Sequence, residues 1–226
     1  MNSGGFATAV ETEGRALGAA ARVGAAETLR SCPGWTGADL LAHTAGFARW
    51  VPDVLAGPAP DEIPPVPPDE ALRTWDDDLD ALVRALRDTD PAAPAPNWSV
   101  APDTAAFWQR RAAHEFAVHR WDAHTGLSGE PAPIDTAVAR DGIAEYLDVF
   151  VATGLAAGMA PPAPTTLAVE ITDTGERLTR DLPDPGPVTT MRGTASDLVL
   201  ALWRRRDPVS LHAGGDPTLL EQWPSI

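Results

Sequence analysis

The chain has 226 residues, and its 17 basic against 32 acidic residues give a formal net charge of −15 at pH 7. This excess of acid argues against a nucleic-acid partner, because phosphate contacts need clusters of basic residues. No apolar run approaches the roughly 20 residues that span a bilayer, the start lacks the pattern of a signal peptide, and Cys32, the single cysteine, cannot form an internal disulfide. We therefore expect a cytoplasmic protein, and its acidic surface favours a monomer.

The first part of the chain is predicted to form four helices. Apolar residues recur at helical spacing over 6–30, 37–55, 69–88 and 103–125, with a Pro-rich linker at 56–68. Thr36 and Asp39 resemble a capping box before the second helix, and Asp103 is the expected N-cap of the fourth. Such helices are typical of an up-down bundle, which builds metal sites from inward side chains on different helices.

The second part is predicted to be a small mixed unit. A helix at about 135–156 is followed by alternating residues over 165–171 that predict a strand, a hairpin turn at 173–175, and a further strand at 187–193. A short helix within 194–206, capped by Thr194 or Ser196, precedes a strand within 207–215 and a helix at 216–223. The expected fold class is α+β, with a helical domain over 1–158, connecting helix included, and an α+β domain over 159–226.

A possible metal site lies in the predicted bundle. Glu115 and His119 are four residues apart, so they share one face of the fourth helix, and His43 on the apolar face of the second helix is the candidate third ligand. Two imidazoles and one carboxylate leave a coordination position open, which is typical of a catalytic site. Such a set suits several divalent ions, Fe(II) among them, so the residues alone leave the metal open. Asp122, three residues after His119, is a candidate hydrogen-bond acceptor for its imidazole.

Simpler interpretations compete with these assignments. The Glu–His spacing is also common on solvated helix faces, and a histidine on an apolar face is often only part of the core. His114 is five residues from His119, about 140° around the helix, so a zincin site is excluded. Cys32 has no partner base visible in the sequence and is interpreted as a structural thiol. The run 204–206 is interpreted as the solvated end of a helix, and an anion site facing a carboxylate substrate is the alternative.

Three segments carry a resemblance to a known family. SCPGWTGADLLAHTAGFARW and RRAAHEFAVHRWDAHTG resemble the two signatures of the mycothiol-dependent maleylpyruvate isomerase family, a branch of the DinB-like metalloproteins. SDLVLALWRRR resembles part of that family's C-terminal domain. The resemblance covers nearly the whole chain and implies a DinB-like four-helix bundle followed by a small, sterol-carrier-like α+β domain.

The resemblance also implies ligands and an activity. The family's divalent metal, usually zinc, is bound by residues that match His43, Glu115 and His119, and the thiol mycothiol supplies its sulfur to that metal. The implied function is an enzyme acting on a small electrophile, by cis–trans isomerisation of a maleylpyruvate-like acid or by S-transfer of the thiol.

One arginine is implied to act in this reaction. The family pattern Trp-Gly-Arg aligns with Trp203-Arg204-Arg205, so Arg205 is the candidate catalytic residue that binds a substrate carboxylate, whereas Arg204 departs from the glycine. Two other functions stay open. One is a hydrolase that uses metal-bound water on the same bundle, and the other is a non-catalytic ligand-binding or regulatory protein.

Overall fold

The computed structural model describes residues 1–57 and 62–222. By their contacts these residues form two compact units. The first comprises Met1–Asn97 and Pro102–Ala132, and the second comprises Trp98–Ala101 and the chain from Pro133 onward. The predicted linker at 56–68 and the end of the predicted last helix lie partly outside the described residues. Within the described part of the chain, no helix is both long enough and apolar enough to cross a membrane.

The first unit contains the four predicted helices, α1 (Ser3–Val23), α2 (Gly37–Ala56), α3 (Pro68–Asp88) and α4 (Ala105–His124). Helix α1 packs closely on α3, because Gly14 and Gly18 present no side chain to it. A Cβ atom on Gly18 would lie 2.3 Å from the Trp75 ring, and the Trp75 Nε1–H donates to the carbonyl oxygen of Gly14 at 3.0 Å. The apolar stripes read from the sequence therefore meet in one core.

Two predicted helix ends were wrong. Helix α1 ends at Val23 and does not continue to residue 30, because the backbone N–H of Leu29 donates to the carbonyl oxygen of Trp35 at 2.9 Å and folds this stretch into a turn. The N-cap of α4 is Thr104 and not Asp103. The Asp103 carboxylate instead accepts hydrogen bonds from the backbone and side-chain nitrogens of Asn97 at 2.9 and 3.0 Å. In both places a hydrogen bond between residues six positions apart overrides the local preference for helix.

Aromatic pairs fix α2 against α4, the two helices that carry the candidate ligands. The rings of Phe47 and Phe116 lie edge to face with centroids 6.1 Å apart. Further along, Trp50 and Trp108 meet in the same way at 5.1 Å. Edge-to-face pairs of this kind are directional as well as apolar. They fix the register of the two helices, and this register determines which side chains face each other one turn away.

The second unit is a four-stranded sheet with helices. Its elements are α5 (Thr136–Glu145), a π-helical segment (Tyr146–Val151), α6 (Ala152–Ala156), β1 (Thr165–Ile171), β2 (Arg177–Leu182), β3 (Val188–Gly193), α7 (Ala195–Leu202), a 3₁₀ turn (Pro208–Leu211), β4 (His212–Gly214) and α8 (Pro217–Gln222). The strand order is β2-β1-β3-β4, with β1 and β3 parallel and the other pairs antiparallel. The α+β class predicted from the sequence is confirmed.

The contacts of α5 put the boundary between the two units earlier in the chain than the sequence pattern predicts. On the sequence alone, residues 133–158 go with the first domain. In the structure, the N–H of Ile134 donates to Ser196 Oγ at 2.9 Å, and the Tyr146 ring lies 5.2 Å from that of Trp203. The connecting helix thus packs on α7 within the second unit.

Candidate metal centre

Three side chains from α2 and α4 converge in the first unit. One ligand atom from each of His43, Glu115 and His119 lies within 4.8 Å of the others. Glu115 Oε1 stands between the two imidazoles, 3.3 Å from His43 Nε2 and 3.0 Å from His119 Nε2. Among residues 1–57 and 62–222, this is the one group of three or more His, Cys, Asp or Glu side chains with such spacing.

Local sequence explains how each helix presents its residues. Glu115 and His119 are one turn apart on α4, which contains no Pro or Gly. The start of α2 is fixed by the predicted capping box. Thr36 Oγ1 accepts from the Asp39 N–H at 3.2 Å, and Asp39 Oδ2 accepts from the Thr36 N–H at 2.9 Å. With that start set, His43 falls in the second turn, facing α4.

Asp122 orients His119. Its side chain is completely buried, and its Oδ2 lies 2.9 Å from His119 Nδ1. When Nδ1 carries the proton and donates it to this carboxylate, the lone pair of Nε2 faces Glu115 and His43. Carboxylates in this position fix the tautomer and increase the basicity of histidine ligands. The structure thus has the hydrogen bond expected from the spacing of these two residues.

Arg111 is a member of the site that the sequence reasoning missed. Its side chain is only 6% exposed, and its Nη2 lies 3.0 Å from Glu115 Oε2. Arg111 therefore engages one carboxylate oxygen and leaves Oε1 to the two histidines. The spacing of four residues could have indicated this pair, although most such pairs are ordinary surface contacts.

The site holds charge in spite of its burial. Burial alone would raise the pKa of Glu115, but the charge of His119, hydrogen bonds from His119 and His43, and the Arg111 guanidinium hold that pKa well below its usual value. Burial alone would lower the pKa of His119, but Glu115 and Asp122 raise it to about 9. In the metal-free protein at neutral pH, His119 is thus an imidazolium beside a carboxylate.

The donor set fits a divalent metal. Ligand atoms about 2.0–2.1 Å from one tetrahedral zinc ion are roughly 3.3 Å apart, and the distances of 3.0 and 3.3 Å from Glu115 Oε1 to the two imidazole nitrogens are close to this. Two neutral nitrogens and one carboxylate also suit Fe(II) and other divalent ions. Binding requires that His119 Nε2 lose its proton, as is usual for histidine ligands.

The three candidate ligand side chains differ in exposure. The side chain of His43 is 36% exposed, against 19% for Glu115 and 11% for His119. The site is therefore more open on the side of His43. There the ring of Trp35 lies 5.2 Å from the His43 ring, inclined at 58°.

Three other residues singled out in the sequence belong to different segments of the chain. Arg205 is in the second unit, directly after α7, where its Nη1 donates to the carbonyl oxygen of Trp203 at 3.0 Å, and its role stays a prediction. Cys32 is half-buried in the turn before α2, with its Sγ 3.9 Å from Ser31 Oγ. His114 is buried and lies edge-on to the Phe6 ring at 6.0 Å.

The fold and this cluster define a class, a four-helix bundle with a candidate metal centre followed by a small α+β unit. The family model described as Mycothiol maleylpyruvate isomerase N-terminal domain matches residues 7–124, and the MDMPI C-terminal domain matches residues 137–222. The chain belongs to the mycothiol maleylpyruvate isomerase family.

Two solved structures share the fold. A crystal structure of the mycothiol-dependent maleylpyruvate isomerase matches with a TM-score of 0.64 and 16% identity, over 89% of each chain. The structure of a histidine-to-alanine mutant of a mycothiol-dependent maleylpyruvate isomerase matches with a TM-score of 0.63 and 14% identity, again over 89% of each chain. A comparison with curated proteins found no match.

Proposed function

We propose that the protein is a mycothiol-dependent enzyme that acts on a small electrophile and uses a divalent metal, most simply zinc, bound by His43, Glu115 and His119. The observation that carries the proposal is the convergence of these side chains within 4.8 Å, in a chain whose family is defined by a mycothiol-dependent isomerase. The nearby charges support it, because Arg111 and Asp122 each hold one ligand in a fixed orientation.

Each of these residues has a distinct task in the proposed enzyme. His43 and His119 supply imidazole nitrogens, and Glu115 supplies Oε1. Asp122 keeps the proton of His119 on Nδ1, and Arg111 keeps Glu115 ionised through Oε2. A divalent metal bound there would lower the pKa of a coordinated thiol, so that the sulfur is a nucleophilic thiolate at neutral pH.

The substrate is proposed to carry a carboxylate that Arg205 binds. A guanidinium can make two parallel hydrogen bonds to a carboxylate, which orients as well as attracts it. The turn after α7 fixes the backbone of Arg205, because its N–H donates to the carbonyl oxygen of Leu200 at 2.8 Å. Arg204 takes a positive φ of 58° there, so the turn forms without the family's glycine.

The reaction is proposed to be cis–trans isomerisation of a maleylpyruvate-like acid or transfer of the thiol to the electrophile. The two outcomes differ in mass, since isomerisation leaves the substrate mass unchanged and S-transfer adds the thiol. The test is to incubate the purified protein with mycothiol and maleylpyruvate, or with a panel of small electrophiles, and to separate the products by liquid chromatography before mass spectrometry. A trans isomer of unchanged mass then differs from the substrate in retention time, and a thiol adduct differs in mass. Turnover is expected only with the thiol present.

Single substitutions test whether this turnover depends on the candidate metal centre and on Arg205. His43→Ala should abolish the turnover, whereas His124→Ala, at the end of helix α4, should not. Among the residues that the structure describes, the His124 ring hydrogen-bonds to the carbonyl oxygen of Arg120 at 2.8 Å and lies outside the cluster. Arg205→Ala should raise KM for carboxylate substrates more than it lowers kcat. Full activity without thiol, or in His43→Ala, would contradict the proposal.

A further inference from the structure

The two candidate histidine ligands are supported in different ways. His119 has the buried Asp122 carboxylate 2.9 Å from its Nδ1. Among the residues that the structure describes, the His43 ring has one polar partner, Glu115 Oε1 at 3.3 Å from Nε2. Two aromatic rings also lie close to it, those of Trp35 and His119, each with its centroid 5.2 Å from that of His43.

Trp35 is held in place by its backbone. Its N–H donates to the carbonyl oxygen of Cys32 at 3.0 Å, and its own carbonyl oxygen accepts from the Leu29 N–H at 2.9 Å. The next residue, Thr36, is the N-cap of α2. A substitution at Trp35 therefore removes the ring while these main-chain hydrogen bonds remain possible.

The Trp35 indole is only partly buried, so it contributes less to the core than the more deeply buried tryptophans of this unit. Trp35 is 37% exposed, whereas Trp75 and Trp108 in the same unit are almost completely buried. A large apolar side chain that is fixed in position yet left open to solvent gives up much of the free energy of burial. Its ring faces the more exposed of the two histidines at the open side of the cluster.

We propose that Trp35 is a positioning residue, whose indole holds the His43 imidazole in the orientation that directs Nε2 towards the metal. This inference rests on the metal site of the proposed function. Ring packing here does for His43 what the Asp122 hydrogen bond does for His119. Because an aromatic pair is individually weaker than a charge-assisted hydrogen bond, Trp35 should make a smaller contribution to metal affinity than Asp122.

The test measures zinc affinity of the full-length protein by competition with a chelating dye. Trp35→Ala should weaken zinc binding by about threefold to tenfold, which is the range for loss of one aromatic pair. Trp35→Phe keeps a ring and should recover most of the affinity. Trp98→Ala is the matched control, because Trp98 is 49% exposed and packs on Phe150 in the second unit.

A double-mutant cycle separates positioning from a general structural effect. In a His43→Ala background, Trp35→Ala should cause no further loss of zinc affinity, because the ring that it orients is gone. The melting temperature of metal-free Trp35→Ala should be no lower than that of the metal-free Trp98→Ala control. The absorption spectrum of the Co²⁺-loaded protein should change in Trp35→Ala and not in Trp98→Ala.

The outcomes distinguish this inference from the proposed function. If the wild-type protein binds zinc but Trp35→Ala binds it equally well, or loses the same factor with and without His43, the positioning role is wrong and the metal site stands. Equal losses in Trp35→Phe and Trp35→Ala would also overturn it. If the wild-type protein binds no zinc or Co²⁺, both the inference and the proposed function are wrong.

Discussion

The substitution Asp122→Asn perturbs the candidate centre without removing a ligand. Asp122 is completely buried, and its Oδ2 accepts from His119 Nδ1 at 2.9 Å. Asparagine has nearly the same shape and can still accept this hydrogen bond through its carbonyl oxygen, but it carries no charge. The variant therefore removes the electrostatic support of His119 and leaves the geometry in place.

Two effects of opposite sign determine the magnitude. Loss of the carboxylate acceptor behind a histidine ligand weakens metal binding by about 10- to 100-fold. Against this, Asp122 helps to raise the pKa of His119 to about 9, so the wild-type protein must release a proton to bind metal at neutral pH. The substitution lowers that pKa and makes the release easier, and each pKa unit corresponds to about tenfold.

The assay is zinc affinity in chelator-buffered solutions near neutral pH and at about pH 9.5. The loss in Asp122→Asn should be near the lower end of the range, about tenfold, at neutral pH and should widen at the higher pH, where His119 is already deprotonated in the wild type. Asp78→Asn is the control, because Asp78 is also a largely buried, ion-paired carboxylate of the first unit. Unchanged affinity at both pH values, or an equal loss in the control, would show that the Asp122 carboxylate does not support His119 as a metal ligand.

Three further predictions concern stability. The pKa of His119 is raised from 6.5 to about 9, so protonation of His119 should stabilise the metal-free protein. This stabilisation should be complete below about pH 6.5 and lost as the pH rises through about 9. Urea unfolding should show the loss in the wild type, and the same loss in His119→Ala would contradict its assignment to His119. Arg204→Gly should be more stable than Arg204→Ala by about 1 kcal/mol, because only glycine relieves the positive φ of 58°; the reverse order in denaturant midpoints would be inconsistent with that backbone. Gly18→Ala should lower the unfolding free energy by about 1–3 kcal/mol, because its Cβ would lie 2.3 Å from the Trp75 ring; Gly4→Ala, whose nearest neighbour lies at 3.8 Å, should not, and equal effects would count against the close packing of α1 on α3.

The convergence of the three candidate ligands could be predicted because helix periodicity fixes most of it. Glu115 and His119 share a face whenever their segment is helical, and the apolar spacing around His43 turns that residue towards the core. The capping box at Thr36 was also predictable, since it depends on residues three apart. Short-range rules suffice where the geometry is set within one helix.

The rest depends on contacts that turns make between residues six to eight positions apart, outside the periodicity of a single helix. The end of α1 is set by a hydrogen bond from Leu29 to Trp35, and the start of α4 is set by the partnership of Asp103 with Asn97. The contact between Trp35 and His43 arises only when the turn before α2 folds back onto that helix. No spacing rule indicates such contacts, because the sequence does not show which loop covers which helix.

His43, Glu115 and His119 are proposed to bind one metal ion. Elemental analysis of the purified protein tests this proposal most directly, beside His119→Ala and His124→Ala prepared in the same way. We expect about one zinc ion per chain in the wild type and in His124→Ala, and loss of that metal in His119→Ala. Metal absent from all three proteins, and not taken up on addition of zinc, would contradict the proposal.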